Sequence, residues 1–270
     1  MQTESKDRVR PPAVAGLFYP ADARQLDTVV RHYLAGAQKE GEPPDEPPAA
    51  LIVPHAGYVY SGPVAASAYA LLSAAPERIR RVLLLGPSHQ VAFRGLAAPT
   101  ATCFTTPLGG VPVDREALEE IAHLPQVRWL DAAHGTEHSV EVHLPFLQTV
   151  LGPFQLIPLV VGDAGPEEVA EVIEALWDGP QLLPIVSSDL SHYHDYASAR
   201  ALDAATSRAI EALRPDAIGY EQACGRNPIN GLLTVARRRS LRAQTIDLRN
   251  SGDTAGPRDH VVGYGAYVFH

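Results

Sequence analysis

Two apolar runs in this chain stop at a histidine. Leu51-Ile52-Val53-Pro54 leads into His55, and Val82-Leu83-Leu84-Leu85-Gly86-Pro87-Ser88 leads into His89. A third run, Leu182-Leu183-Pro184-Ile185-Val186, leads into Ser187-Ser188-Asp189-Leu190-Ser191-His192. Short apolar runs bounded by Gly and Pro read as buried strands. Open α/β sheets bind ligands beyond the carboxyl ends of their strands. Imidazole is the commonest metal ligand, so His55 and His89 at neighbouring strand tips could share one transition metal, at about 2.0–2.1 Å per nitrogen. Asp189 is a candidate ligand or imidazole-orienting group, and His192 a candidate general base near neutral pH.

Two further segments carry reactive side chains. His134-Gly135-Thr136-Glu137-His138-Ser139-Val140-Glu141-Val142-His143 holds three His and two Glu. If the segment is helical, His138 and Glu141 fall three apart on one face. The pattern lacks the His-Glu-x-x-His order of metalloproteases, so these residues read either as groups orienting the ligands or as acid/base groups. Cys224 precedes Gly225-Arg226-Asn227-Pro228, where Asn227-Pro228 reads as a cap and first turn. A helix start lowers a thiol pKa, so Cys224 is a candidate third metal ligand or redox-sensitive nucleophile; a packed, buried thiol is the alternative.

The elements that must position these groups alternate between the two periodicities. Strands are expected at Ala49–Val53, Arg81–Gly86, Phe154–Val161, Leu182–Val186 and His260–Phe269. Helices are expected at Ala21–Ala37, Gly62–Ala74, Arg115–His123, Gly165–Trp177, Ala197–Leu213 and Asn227–Ala236, with a hairpin in Leu96–Val113. Strands alternating with helices predict a single α/β domain, with a mostly parallel central sheet flanked by helices. Residues 1–10 are polar and read as a flexible N-terminus ahead of a domain spanning 11–270. Gly41–Pro48 reads as a Pro-rich acidic loop.

Composition narrows the function. Hydrophobic residues make up 46% and charged residues 20% of 270, ordinary for a globular core. A net charge of -9 argues against nucleic acid, which selects basic stripes. No apolar run approaches the ~20 residues of a membrane helix, and the polar N-terminus lacks a signal-peptide core. Two cysteines make no disulfide framework. The expected compartment is therefore the cytoplasm.

Several of these segments together resemble the Memo family, also called AmmeMemoRadiSam system protein B. The motifs are Ala15-Gly16-Leu17-Phe18-Tyr19, Pro54-His55-Ala56-Gly57-Tyr58-Val59-Tyr60-Ser61-Gly62, Gly86-Pro87-Ser88-His89, Glu137 to Pro145, Ser187 to His192 and Cys224 to Ile229. They are co-linear from about residue 10 to residue 269. The resemblance implies a fold like that of the class III extradiol dioxygenases, which are non-haem iron enzymes. It implies His55, His89 and Cys224 as ligands of iron or copper, ahead of zinc. It places His192 as the acid/base histidine, and Phe18, Tyr60 and Asp189 in the pocket wall. A thiolate then stands where the usual triad has two His and one carboxylate, and such a thiolate is itself oxidisable.

The expected function is thus redox or dioxygenase-like chemistry on a small or peptide-borne aromatic, with a pathway link to a radical-SAM protein implied by the resemblance. Two other readings stay open. One is a non-catalytic binding module for phosphotyrosine-like or other anionic ligands. The other is a zinc hydrolase with His192 as base.

Overall fold

The computed structural model describes residues 8–37 and 46–270. The first seven residues of the expected flexible N-terminus, and most of the expected Pro-rich loop, lie outside the described residues. Chain order begins with β1 (Val9–Arg10), α1 (Ala23–Ala37), β2 (Ala50–Val53), α2 (Tyr58–Tyr69), β3 (Arg81–Pro87), β4 (Leu96–Ala98), β5 (Cys103–Thr106) and β6 (Gly109–Pro112). It continues with α3 (Arg115–Ile121), β7 (Val127–Trp129), α4 (Ala132–Gly135), α5 (Leu144–Leu151), β8 (Gln155–Val161), α6 (Pro166–Leu176) and β9 (Leu182–Ser187). The last elements are β10 (His192–His194), α7 (Tyr196–Glu211), α8 (Arg226–Arg238), β11 (Ala243–Asn250), α9 (Ser251–Thr254) and β12 (Val261–Phe269).

The main sheet is mixed, in the order β10-β12-β2-β9-β3-β8-β4-β7, with β11 also paired to β12. Its centre, β2-β9-β3-β8, is parallel. Antiparallel pairing appears at the margins, where β12 meets β2 and β4 meets β8. The central strands read as continuous Val, Ile and Leu because both faces are covered, and Leu51 to Val53 and Val82 to Leu85 are fully buried. Each such side chain contributes roughly 1.5–3 kcal/mol on burial. The strand ends therefore project from a rigid layer.

A small second sheet, β1-β5-β6, contains the expected hairpin as β5 and β6. Val9–Arg10 pair in parallel with Cys103–Phe104, and Arg10 is buried. The end of the expected flexible stretch is thus a strand.

Some local expectations shift. Ser139 and Val140 form a turn, and only Glu141–His143 are helical, as one 3-10 turn. At α8 the N-cap is Gly225, not Asn227. The Asn227 amide instead donates to the Gly162 carbonyl at 2.7 Å, tying α8 to the end of β8. Among the described residues no helix is long and apolar enough to cross a membrane.

Candidate metal centre

Three adjacent parallel strands each deliver one polar residue two positions past their last residue. β2 ends at Val53 and presents His55, β9 ends at Ser187 and presents Asp189, and β3 ends at Pro87 and presents His89. Val53 is in register with Ser187, so these groups meet beyond the carboxyl ends of the central strands. The turn after α4 then brings in His138. The ring centres of His55 and His89 lie 5.1 Å apart, those of His55 and His138 5.3 Å, and those of His89 and His138 4.6 Å. One nitrogen from each ring lies within 4.8 Å of the others, close enough to hold one metal ion.

Hydrogen bonds fix which nitrogens are free. The Ser187 hydroxyl donates to the Ser139 carbonyl at 2.6 Å, so it must accept from His55 Nδ1, also at 2.6 Å. His89 Nδ1 donates to Glu137 Oε1 at 2.9 Å, and His138 Nδ1 is 3.3 Å from the same oxygen. These partners leave the Nε2 lone pairs of His55 and His89 for the shared space. The arrangement of ligand imidazole backed by carboxylate or hydroxyl is the one that orients metal-binding histidines.

Burial first, and then the neighbouring imidazoles, push the His55 pKa well below its ordinary value, which keeps the ring neutral. Burial likewise lowers those of His138 and His192. Neutral imidazole is the ligating form.

Glu137 is the member of the 134–143 segment that orients the ligands. It is buried, and burial alone would raise its pKa. The hydrogen bonds from the His89 ring and from the His89 and Ser139 backbone outweigh that and hold it at about 2. Its Oε1 accepts from the backbone N–H of His138 and Ser139, and its Oε2 from that of His89. Ser187, Ser139 and Arg10 take part as well, with no signal in the sequence that marks them. The Arg10 guanidinium donates to the carbonyls of His134 and Glu137, at 3.0 and 2.6 Å.

Cys224 lies beside the trio without being one of the three. Its Sγ is 3.3 Å from His55 Nε2 and 3.6 Å from the Asp189 carbonyl. Contrary to the lowering expected at a helix start, burial and then the charge of Asp189 push the thiol up to about 12. The S–H therefore donates to His55 in the metal-free protein. This approach needs glycine at 225, because a Cβ there would sit 2.6 Å from the Ser187 carbonyl oxygen. Gly86 has the same task for Ser139, whose Oγ would lie 2.5 Å from a Cβ.

Asp189 is buried, and burial pushes its carboxyl up to about 7 against N–H groups from His55 and Ala56. His55 N donates to its Oδ1 at 2.7 Å. His192 donates through Nδ1 to the Leu190 carbonyl at 2.8 Å, leaving Nε2 free. The Phe18 ring packs 4.7 Å from the His138 ring, while Tyr60 is partly exposed on the first turn of α2.

Glu141 is placed elsewhere. Both of its oxygens are engaged by Arg10, the Tyr19 hydroxyl and the N–H groups of Ala13 and Val14. It holds the N-terminal segment in place and is not an open acid or base.

Known proteins share this framework along its length. A family model described as Memo-like protein matches residues 10–268. A MEMO1 family protein of Ignicoccus hospitalis is 36% identical, over 97% of this chain and 98% of its own. Those of Archaeoglobus fulgidus and Aquifex aeolicus are 35% and 34% identical, each over 97% of this chain and 99% of its own.

Proposed function

The chain belongs to the Memo-like family, and on that premise we propose that it is a redox-metal protein acting on a small or peptide-borne aromatic. The observation that supports this most is the convergence of His55, His89 and His138 with their outer nitrogens tied back to Ser187 and Glu137. His55 and His89 would hold iron or copper, with His138 and Cys224 on either flank as further donors. Cys224 would enter as thiolate, giving up the proton that burial now holds on it. Bound iron or copper would supply one-electron and oxygen chemistry.

The chain's own residues supply the remainder. His192 presents a free Nε2 that can take a proton from a substrate hydroxyl. Asp189, titrating near neutrality, can hold or release one. Phe18 and Tyr60 offer apolar walls for an aromatic ring. A class III extradiol dioxygenase-like reaction is consistent with these roles.

One feature favours a second reading. Three imidazoles with an open position is also a donor set of catalytic zinc, which with His192 as base would make a hydrolase. Metal analysis of anaerobically purified protein separates the two. Iron or copper near one equivalent, lost in His55→Ala, is the expected result. Zinc together with esterase turnover supports the hydrolase, and no metal in any preparation overturns both.

A further inference from the structure

The segment that delivers Cys224 also delivers a cation with no task in the site just described. Arg226 is the first residue of α8, and its guanidinium carbon lies 3.3 Å from the centre of the Tyr220 ring. Stacking fixes the plane of the fork. Among the described residues Arg226 has no carboxylate partner, and its Nε is buried without a hydrogen-bond partner. A buried charged donor left unpaired is costly and calls for an acceptor.

Arg226 lines a cavity of about 200 Å³, together with Ser88, Asp163, Tyr220, Cys224 and Asn227. Cys224 is the shared wall, since its Sγ also meets His55 Nε2. The other polar walls are largely engaged. The Ser88 hydroxyl donates to the Val91 carbonyl at 2.6 Å, and the Asn227 amide to that of Gly162. Arg226 is thus the cavity's one cation and Asp163, which is exposed, its one carboxylate.

We infer that Arg226 anchors the carboxylate of a small monoanionic ligand whose other end passes Cys224 toward His55. The planar fork fits a carboxylate through two parallel N–H···O bonds. The opposing charge of Asp163 disfavours a dianion such as a phosphate monoester. The inference rests on the histidine trio being the reacting centre, and it names the class of substrate that centre receives.

The test is calorimetric binding of benzoate, phenol and phenyl phosphate to the full chain, as purified and after chelator treatment. Benzoate should bind at least about tenfold more tightly than phenol, and more tightly than phenyl phosphate. The benzoate-to-phenol ratio should fall to about one in Arg226→Gln and be partly kept in Arg226→Lys. Reading a ratio removes any general loosening of the fold. No benzoate binding, a ratio near one in the unaltered chain, a ratio indifferent to Arg226→Gln, or tighter phenyl phosphate binding each overturns the inference. A protein that holds no metal in any preparation yet keeps the Arg226-dependent ratio overturns only the metal reading. Bound metal without that ratio overturns only this inference.

Discussion

His89 Nδ1 lies 2.9 Å from Glu137 Oε1, and the same carboxylate takes backbone N–H groups from His89, His138 and Ser139. One buried side chain therefore fixes two imidazoles and the backbone on which both sit. In Glu137→Gln one oxygen becomes an NH2 facing N–H donors, so the network cannot be satisfied. Loss of such an orienting partner typically costs 10–100-fold in metal affinity. Competition titration against a chelator should show a drop of about that size. Unchanged affinity would mean that Glu137 serves the fold alone.

Ser187 does for His55 what Glu137 does for His89. Its hydroxyl proton is committed to the Ser139 carbonyl, so its lone pair receives the His55 N–H. In Ser187→Ala that buried N–H is orphaned, at a cost of about 1–3 kcal/mol. The ring is then free to turn over. Denaturant unfolding should show the loss, and metal affinity should fall with it. A stability loss with unaltered metal binding would detach the serine from the site.

The strand-end logic was legible in the sequence because β2, β9 and β3 are apolar through both faces, with Pro54 directly after β2, Ser187 closing β9 and Gly86-Pro87 closing β3. That placed His55, His89 and Asp189 together. The 134–143 segment was harder. A helix would set His138 and Glu141 on one face, but the chain turns at Ser139–Val140, so His138 joins the trio while Glu141 turns to the N-terminal segment. Arg10 gave no signal at all, because its partners are more than 120 residues away. Of the two readings open for Cys224, the buried thiol describes its metal-free state, because the lowering expected at a helix start is outweighed by burial.

Acid should weaken the metal-free protein already below pH 6.5, through its buried histidines. Burial holds His134 at about 4 and His143 at about 3, and displaces His55 in the same direction. Below pH 6.5 the unfolded chain protonates these groups and the folded chain does not, so stability falls as pH falls. Asp189 acts oppositely. Its folded carboxyl titrates near 7 against 3.8 unfolded, so it stabilises increasingly as pH drops through that window and offsets one histidine. Glu137, held at about 2, keeps its contribution until the pH falls below 4.5. With a full slope of 1.36 kcal/mol per pH unit per group, reached only once the unfolded histidines are fully protonated, urea unfolding of chelator-treated protein should lose about 3 kcal/mol between pH 6.5 and 5. Constant or rising stability over that range would refute the assignment of these histidines as buried and neutral.

The Arg10–Glu141 pair should separate fold from site. Both side chains are buried, and Glu141 also receives the Tyr19 hydroxyl at 2.5 Å. Removing one partner of a buried pair leaves an uncompensated charge, typically at 3–5 kcal/mol. Glu141→Gln should therefore lower stability by several kcal/mol while leaving metal stoichiometry unchanged. Arg10→Met should do more, because Arg10 also holds the carbonyls of His134 and Glu137 and through them the strut behind His89. It should weaken metal binding as well as folding. Replacing both, in Arg10→Met with Glu141→Leu, should restore part of the stability but not the metal affinity, since the charge imbalance is relieved while the carbonyls stay unbound. Paired unfolding and metal titrations on the three variants read this out. Loss of metal in Glu141→Gln at unchanged stability would instead make Glu141 a member of the site.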